Sequence, residues 1–233
     1  YDGYVESFTE NWEKLERYDN NAPKTMNAHL HVLEAYTLLY QCWKDNGLKK
    51  RLEFCVDLFM NRIYDPSRRH FNLFFDNEWN SLVEMDSYGH DVETGWLLCE
   101  AARTLENQDL IEQTNQLALD VTEACLAEGM SDKGYMIYEK KGDRKTKHAS
   151  WWGQIETVIA CVNAWQISGS DVYLQSVDTV WTFVKDHMVD KEYGEWYSDC
   201  FDGEPKKEAP KVSMWRCPYH TVRLGVEMYN RLK

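Results

Sequence analysis

Residues Ser87–Leu105 read SYGHDVETGWLLCEAARTL, and this stretch fixes the kind of fold to expect. Leu97, Leu98, Ala101, Ala102 and Leu105 recur at helical spacing, so a helix is predicted over 89–105. Residues three or four apart share a helix face. His90, Glu93 and Trp96 therefore point roughly the same way, at the place where the helix begins. A titratable ring, a carboxylate that can orient it and an indole are placed together there.

The same 3.6-residue period appears on both sides. Helices are predicted over 24–44, 48–63, 109–128, 151–168, 171–188 and 218–231. Asn20-Asn21-Ala22-Pro23, Asn46-Gly47, Asp65-Pro66-Ser67 and Gly169-Ser170 punctuate them. Residues 1–20, 70–86, 134–148 and 194–213 read as loops with short hairpins or irregular chain. The odd-numbered helices begin with unusual residues: Asn27 and His31, His90 and Glu93, Trp151, Trp152 and Glu156, then His220 and Arg223. The even-numbered ones carry plain amphipathic stripes. That alternation suggests an inner layer whose N-terminal ends converge, wrapped by an outer layer.

Composition narrows the function. With 233 residues, 43% of them hydrophobic, the chain can bury a sizeable core, and a single domain over 1–233 is expected. The net charge of −13 argues against nucleic acid and anionic membranes as partners, since both attract basic surfaces. The basic run Lys140–His148 reads as a solvated loop. Seven cysteines, an odd number with no C-x-x-C pair, fall mostly in apolar stripes and fit buried thiols in a reducing, cytoplasmic compartment. No apolar run reaches membrane-spanning length. The chain starts at Tyr1 and not at methionine, which suggests a fragment or processed product. Ten tryptophans and fourteen tyrosines are many for this length, and flat rings of that kind line carbohydrate sites as well as cores.

His90 and His220 both open helices. Histidine titrates near neutrality, so the pair could exchange protons at physiological pH, or could simply be structural. His29 and His31, two apart, lie on different faces, so at most one enters a common cavity; His31 shares a face with Asn27. His70, His148 and His187 read as solvated. Glu156, in an otherwise apolar helix one turn after Trp152, requires a partner or a wet cavity. Trp151, Trp152 and Trp215 are either core packing or the walls of a pocket. No histidine–carboxylate pair has the dense spacing of a metal site, and no Gly-rich phosphate loop is present, so neither a metal nor another cofactor is expected.

Five blocks in order, KTMNAHLHVLEAY (Lys24–Tyr36), SYGHDVETGWLL (Ser87–Leu98), WWGQIE (Trp151–Glu156), GEWY (Gly194–Tyr197) and WRCPYHTVR (Trp215–Arg223), resemble the cellobiose 2-epimerase family of the N-acylglucosamine 2-epimerase superfamily. The resemblance covers this chain and about the C-terminal three-fifths of the family. It implies an all-α fold, an (α/α)6 barrel left incomplete at seven helices, with apolar faces of the first and last helices exposed. It implies an isomerase of carbohydrate metabolism that interconverts glucose and mannose configuration at C2 of a reducing-end sugar, in β-1,4 disaccharides such as cellobiose or lactose. The route is proton abstraction and return through a cis-enediolate. By that resemblance His90 and His220 are the acid/base pair, Glu93 holds the His90 side, and His31 assists ring opening. Asn27, Trp96, Trp152 and Glu156 contact sugar, with Trp151 and Trp215 beside them. Thr221 and Ile155 depart from the usual Asn and Ala. An arginine and a tyrosine of the family's pocket are expected in an N-terminal segment of the same protein, the one macromolecular partner implied. Within the superfamily a mannose 2-epimerase or aldose–ketose isomerase is the near alternative, and a non-catalytic carbohydrate-binding fragment the distant one.

Overall fold

The computed structural model describes residues 2–18 and 21–233; Asn20 of the first turn lies outside the described residues. Among them are seven α-helices: α1 (Met26–Cys42), α2 (Asn46–Leu58), α3 (Tyr88–Leu105), α4 (Gln108–Gly129), α5 (Trp151–Ser168), α6 (Val172–Phe183) and α7 (Tyr219–Arg231). The strands between them are two or three residues long. The chain divides into two compact units, one made of residues up to Asp86 with Leu97–Leu117, the other of Ser87–Trp96 with Ala118–Lys233. Helix α3 passes from one to the other at Trp96–Leu97.

In the first unit, α1 starts at Thr25, whose Oγ1 accepts the Ala28 N–H, and α2 starts at Asp45, which accepts the Leu48 N–H. These caps satisfy donors that a helix leaves unpaired. The two helices bury Leu30, Leu33, Leu52, Val56 and Phe59. Helix α2 does not stop at Leu58 but widens into a π-helical turn, Phe59–Ile63, closed by Tyr64 N–H to Phe59 O. The predicted single helix over 48–63 is therefore an α-helix followed by a wider turn. The 70–86 region forms short antiparallel pairings, Tyr64–Asp65 with His70–Phe71 and Lys24–Thr25 with Phe74–Phe75. His70, expected in solvent, is buried because this pairing folds it inward.

The second unit is built on α5. Thirteen of its eighteen residues are buried. Ser150 caps its start by accepting the Gly153 N–H, and Gly169, at φ 71°, ends it in the left-handed conformation that a Cβ disfavours. Helix α5 packs against α6 and α7. Helix α6 also ends in a π-helical turn, Val184–Met188, with Val189 N–H on Val184 O. The strand His148–Ser150 runs straight into α5 and pairs with Asp199–Phe201, which pairs with Glu204–Pro205; the region predicted as irregular thus supplies two strands. His148, expected in solvent, is held in this sheet by Asp199 at 2.6 Å and stacks on Phe201.

The two terminal helices expose apolar side chains, Leu38 and Leu39 on α1 and Val222, Val226 and Tyr229 on α7. No helix among the described residues is long and apolar enough to cross a membrane.

Candidate active site

Three helix starts meet in the second unit. At Gly89 the backbones of α3 and α5 come so close that a Cβ would lie 2.7 Å from the Trp152 ring and 3.1 Å from the Gly153 Cα. Real Cβ contacts are not that short, so the glycine before His90 is required by packing. That approach sets the His90 imidazole 4.5 Å from the Trp152 ring, centroid to centroid. On α7, His220 stacks on the same indole at 5.7 Å and 29°. Both histidines singled out in the sequence therefore touch one tryptophan.

Each imidazole is held through Nδ1. His90 Nδ1 lies 2.7 Å from Ser87 Oγ. His220 Nδ1 lies 2.7 Å from Glu156 Oε1. Glu156 is fully buried, and its carboxylate is ringed by donors: Arg223 Nη1 donates to Oε1 at 3.0 Å and Trp96 Nε1 to Oε2 at 2.9 Å. The indole and the guanidinium can only donate, so they match an ionised carboxylate. An ionised carboxylate can only accept, so His220 carries its hydrogen on Nδ1 and leaves the Nε2 lone pair free.

Arg223 Nη1 also donates to Glu93 Oε1 at 2.5 Å, and Glu93 is 1% exposed. The guanidinium lies over the rings of Tyr219, at 4.2 Å, and Trp96, at 5.3 Å. Glu93, Glu156 and His220 bring three ligand-type atoms within 4.8 Å of one another, but Arg223 already supplies a cation to both carboxylates. Burying two carboxylates is tolerable only with such partners.

Glu93, expected to steady His90, is thus paired with Arg223, while Ser87 is the side chain on His90 Nδ1. Glu156, expected to bind sugar directly, backs His220. Trp96 buries its ring and gives its N–H to Glu156. Trp151 is nearly buried under the guanidinium of Arg216, 4.7 Å away. Trp215, its ring 80% exposed, faces solvent. Thr221 is exposed and donates to Pro218 O, and Ile155 is wholly buried. Asn27 and His31 belong to α1 in the first unit, where His31 lies 3.4 Å from Glu34 and is largely accessible. Its neighbour His29 is the buried one: Nε2 accepts the Tyr4 N–H and Nδ1 donates to Thr25 O.

Sequence reasoning missed Arg223, Ser87 and Arg216 as site residues. Arg223 had a signal: it stands three residues after His220 on one helix face, and two carboxylates in apolar surroundings demand a cation.

The model of the N-acylglucosamine 2-epimerase (GlcNAc 2-epimerase) family matches residues 2–223. A cellobiose 2-epimerase of Bacteroides fragilis is 40% identical over 97% of this chain and 59% of its own length. A sugar epimerase from a ruminal bacterium superposes with a TM-score of 0.94 at 34% identity, over 98% of this chain and 60% of its own. The cellobiose 2-epimerase of Bacillus thermoamylovorans does so with a TM-score of 0.93, also at 34% identity over 98% of this chain and 60% of its own. The chain spans about three-fifths of the length of these relatives. Its seven helices form the corresponding part of an (α/α)6 barrel. The match over nearly all of its residues places the chain in the N-acylglucosamine 2-epimerase family.

Proposed function

We propose that the chain carries the proton-transfer site of a sugar 2-epimerase acting on the reducing-end hexose of a β-1,4 disaccharide. The observation that carries this is the meeting of two imidazoles on one indole, one of them backed by a buried carboxylate. In the open-chain sugar the C2 proton is acidic, because the electron pair left behind moves into a C1–C2 double bond and onto the C1 oxygen. One imidazole takes that proton through Nε2, and a cis-enediolate results. The other, as imidazolium, returns a proton to the opposite face, and the pair moves back to C2. Nothing is oxidised or reduced, so no cofactor enters the balance. Two positioned proton carriers suit this chemistry, each contributing about 10²–10⁴-fold. His220, with its Nε2 free, suits the base in one direction and His90 in the other.

The disaccharide preference is supported by the printed names of the relatives, two of which are cellobiose 2-epimerases. Asn27 and His31 are proposed to touch the sugar from α1, His31 in ring opening, and Trp151, Trp152 and Trp215 to line its path. An N-terminal segment of the same protein is proposed to complete the pocket.

Proton NMR of cellobiose with the protein in D2O tests the reading. The reducing-end C2 proton signal should disappear and a mannose-type anomeric signal appear, and His90→Asn and His220→Asn should abolish both changes while sugar binding persists. Full turnover in both variants would overturn the mechanism. Exchange on mannose alone would move the substrate to a monosaccharide, and binding without exchange on either sugar would leave a carbohydrate-binding fragment.

A further inference from the structure

Four ionisable side chains from three helices form one closed cluster: Glu93 from α3, Glu156 from α5, and His220 and Arg223 from α7. The charges are two negative and one positive, with a neutral His220. A proton on His220 brings the cluster to neutrality without any group leaving its place. The two acceptors compete for one guanidinium nitrogen, Nη1, which lies 2.5 Å from Glu93 and 3.0 Å from Glu156. The more of that cation's field Glu93 takes, the more of the Glu156 charge remains for the His220 imidazolium.

We propose that Arg223 is a positioning residue that sets how strongly His220 holds a proton, by dividing its charge between Glu156 and Glu93. It lies with the base and not on the sugar: its guanidinium is sandwiched by Trp96 and Tyr219, and the residue is 9% exposed. The other groups facing His220 are accounted for. Tyr219 and Trp151 present ring edges, and Trp152 separates it from His90. Arg216 stands beyond Trp151, engaged with the Lys211 and Trp196 carbonyls. Arg231 lies over the far indole, Trp96, and pairs with Glu227. The His148–Asp199 pair stands behind Tyr138, whose ring meets Trp152. None of these touches the Glu156 oxygens as Arg223 does. The link to catalysis rests on the epimerase reading; the charge arithmetic does not.

The test is an NMR pH titration of the His220 ring carbons in this chain, which requires no turnover. An opposite or like charge within about 4–6 Å moves a pKa by about 1–3 units. Arg223→Gln removes the positive charge and should raise the His220 midpoint by about one unit. Glu93→Gln leaves Arg223 wholly to Glu156 and should lower it by about one unit. Arg223→Lys keeps the charge and should stay close to the parent. Shifts of opposite sign in the first two variants are the expected result, and a loss of packing does not produce them. Equal shifts in Arg223→Lys and Arg223→Gln, or shifts of one sign in Arg223→Gln and Glu93→Gln, would overturn the proposal. If Arg223→Gln does not fold, Glu93→Gln and Arg223→Lys still decide it: a midpoint unmoved by Glu93→Gln, or displaced by Arg223→Lys, overturns it. Where turnover is present, the acid limb of the kcat/KM profile should move with the titration. An unmoved limb over shifted midpoints would count against His220 as the base and leave the charge assignment intact.

Discussion

The surroundings of His220 and His90 differ in one respect that matters. Both rings lean on Trp152, and both are gripped through Nδ1. His220 is gripped by a buried carboxylate, His90 by a hydroxyl. A carboxylate imposes one tautomer and stabilises the imidazolium. A hydroxyl donates or accepts, so it serves either tautomer and adds no charge. In a reaction that must run in both directions, one partner is thus pre-set as a base and the other is left able to switch. Unequal surroundings are a means of giving two identical side chains different chemistry.

The largest expected effect comes from removing the distinction itself. Glu156→Gln can offer His220 an amide that donates as well as accepts, so epimerisation should fall by about 10² or more, read as kcat at saturating sugar. Retained activity there would mean that the two histidines are equivalent. Gly89→Ala comes next. It pushes a methyl group into Trp152, the ring both histidines share, and should cost about 1–3 kcal/mol in urea unfolding. Unchanged stability would show that the two helix starts have room to part. Ser87→Ala removes one neutral hydrogen bond to His90 and should lower kcat about tenfold at most, in keeping with a bond of about 1 kcal/mol. A loss as large as that of Glu156→Gln would make the hydroxyl as decisive as the carboxylate.

The smallest effect contrasts these accessible rings with a buried one. Burial lowers the His29 pKa below 6.5, against the raising effect of its bond to Thr25 O. The unfolded chain therefore binds the proton more readily than the folded one. Stability is fully present above pH 6.5, declines as pH falls through that value, and levels off below the folded pKa. His29→Gln should flatten this part of the pH dependence of the urea midpoint, and an unaltered slope would refute the assignment to His29.

The need for a partner at Glu156 was legible, because a lone carboxylate in an all-apolar helix is an unbalanced charge. The identity of that partner was not, since His220 and Arg223 lie more than sixty residues away and only the packing of α5 on α7 joins them. Glu93 shows the opposite error: one-turn spacing from His90 suggested a local pair, and a stronger long-range cation engages it. The helices were readable from their apolar period. The buried setting of His70 was not, because a two-residue pairing leaves no period in the sequence.

The widened turns that end α2 and α6 have a consequence for how this chain can change in length. Each closes with an i to i+5 bond, Tyr64 to Phe59 and Val189 to Val184. Such a turn holds one residue more than an α-helix would in the same span. Deleting a single residue from Phe59–Ile63 or Val184–Met188 would restore ordinary α-helical bonding and swing the outgoing chain by about 100°. Residues 206–218, which form no helix or strand, can absorb such a change by local bending. These two five-residue turns act as indexing points, where one codon gained or lost re-aims everything that follows.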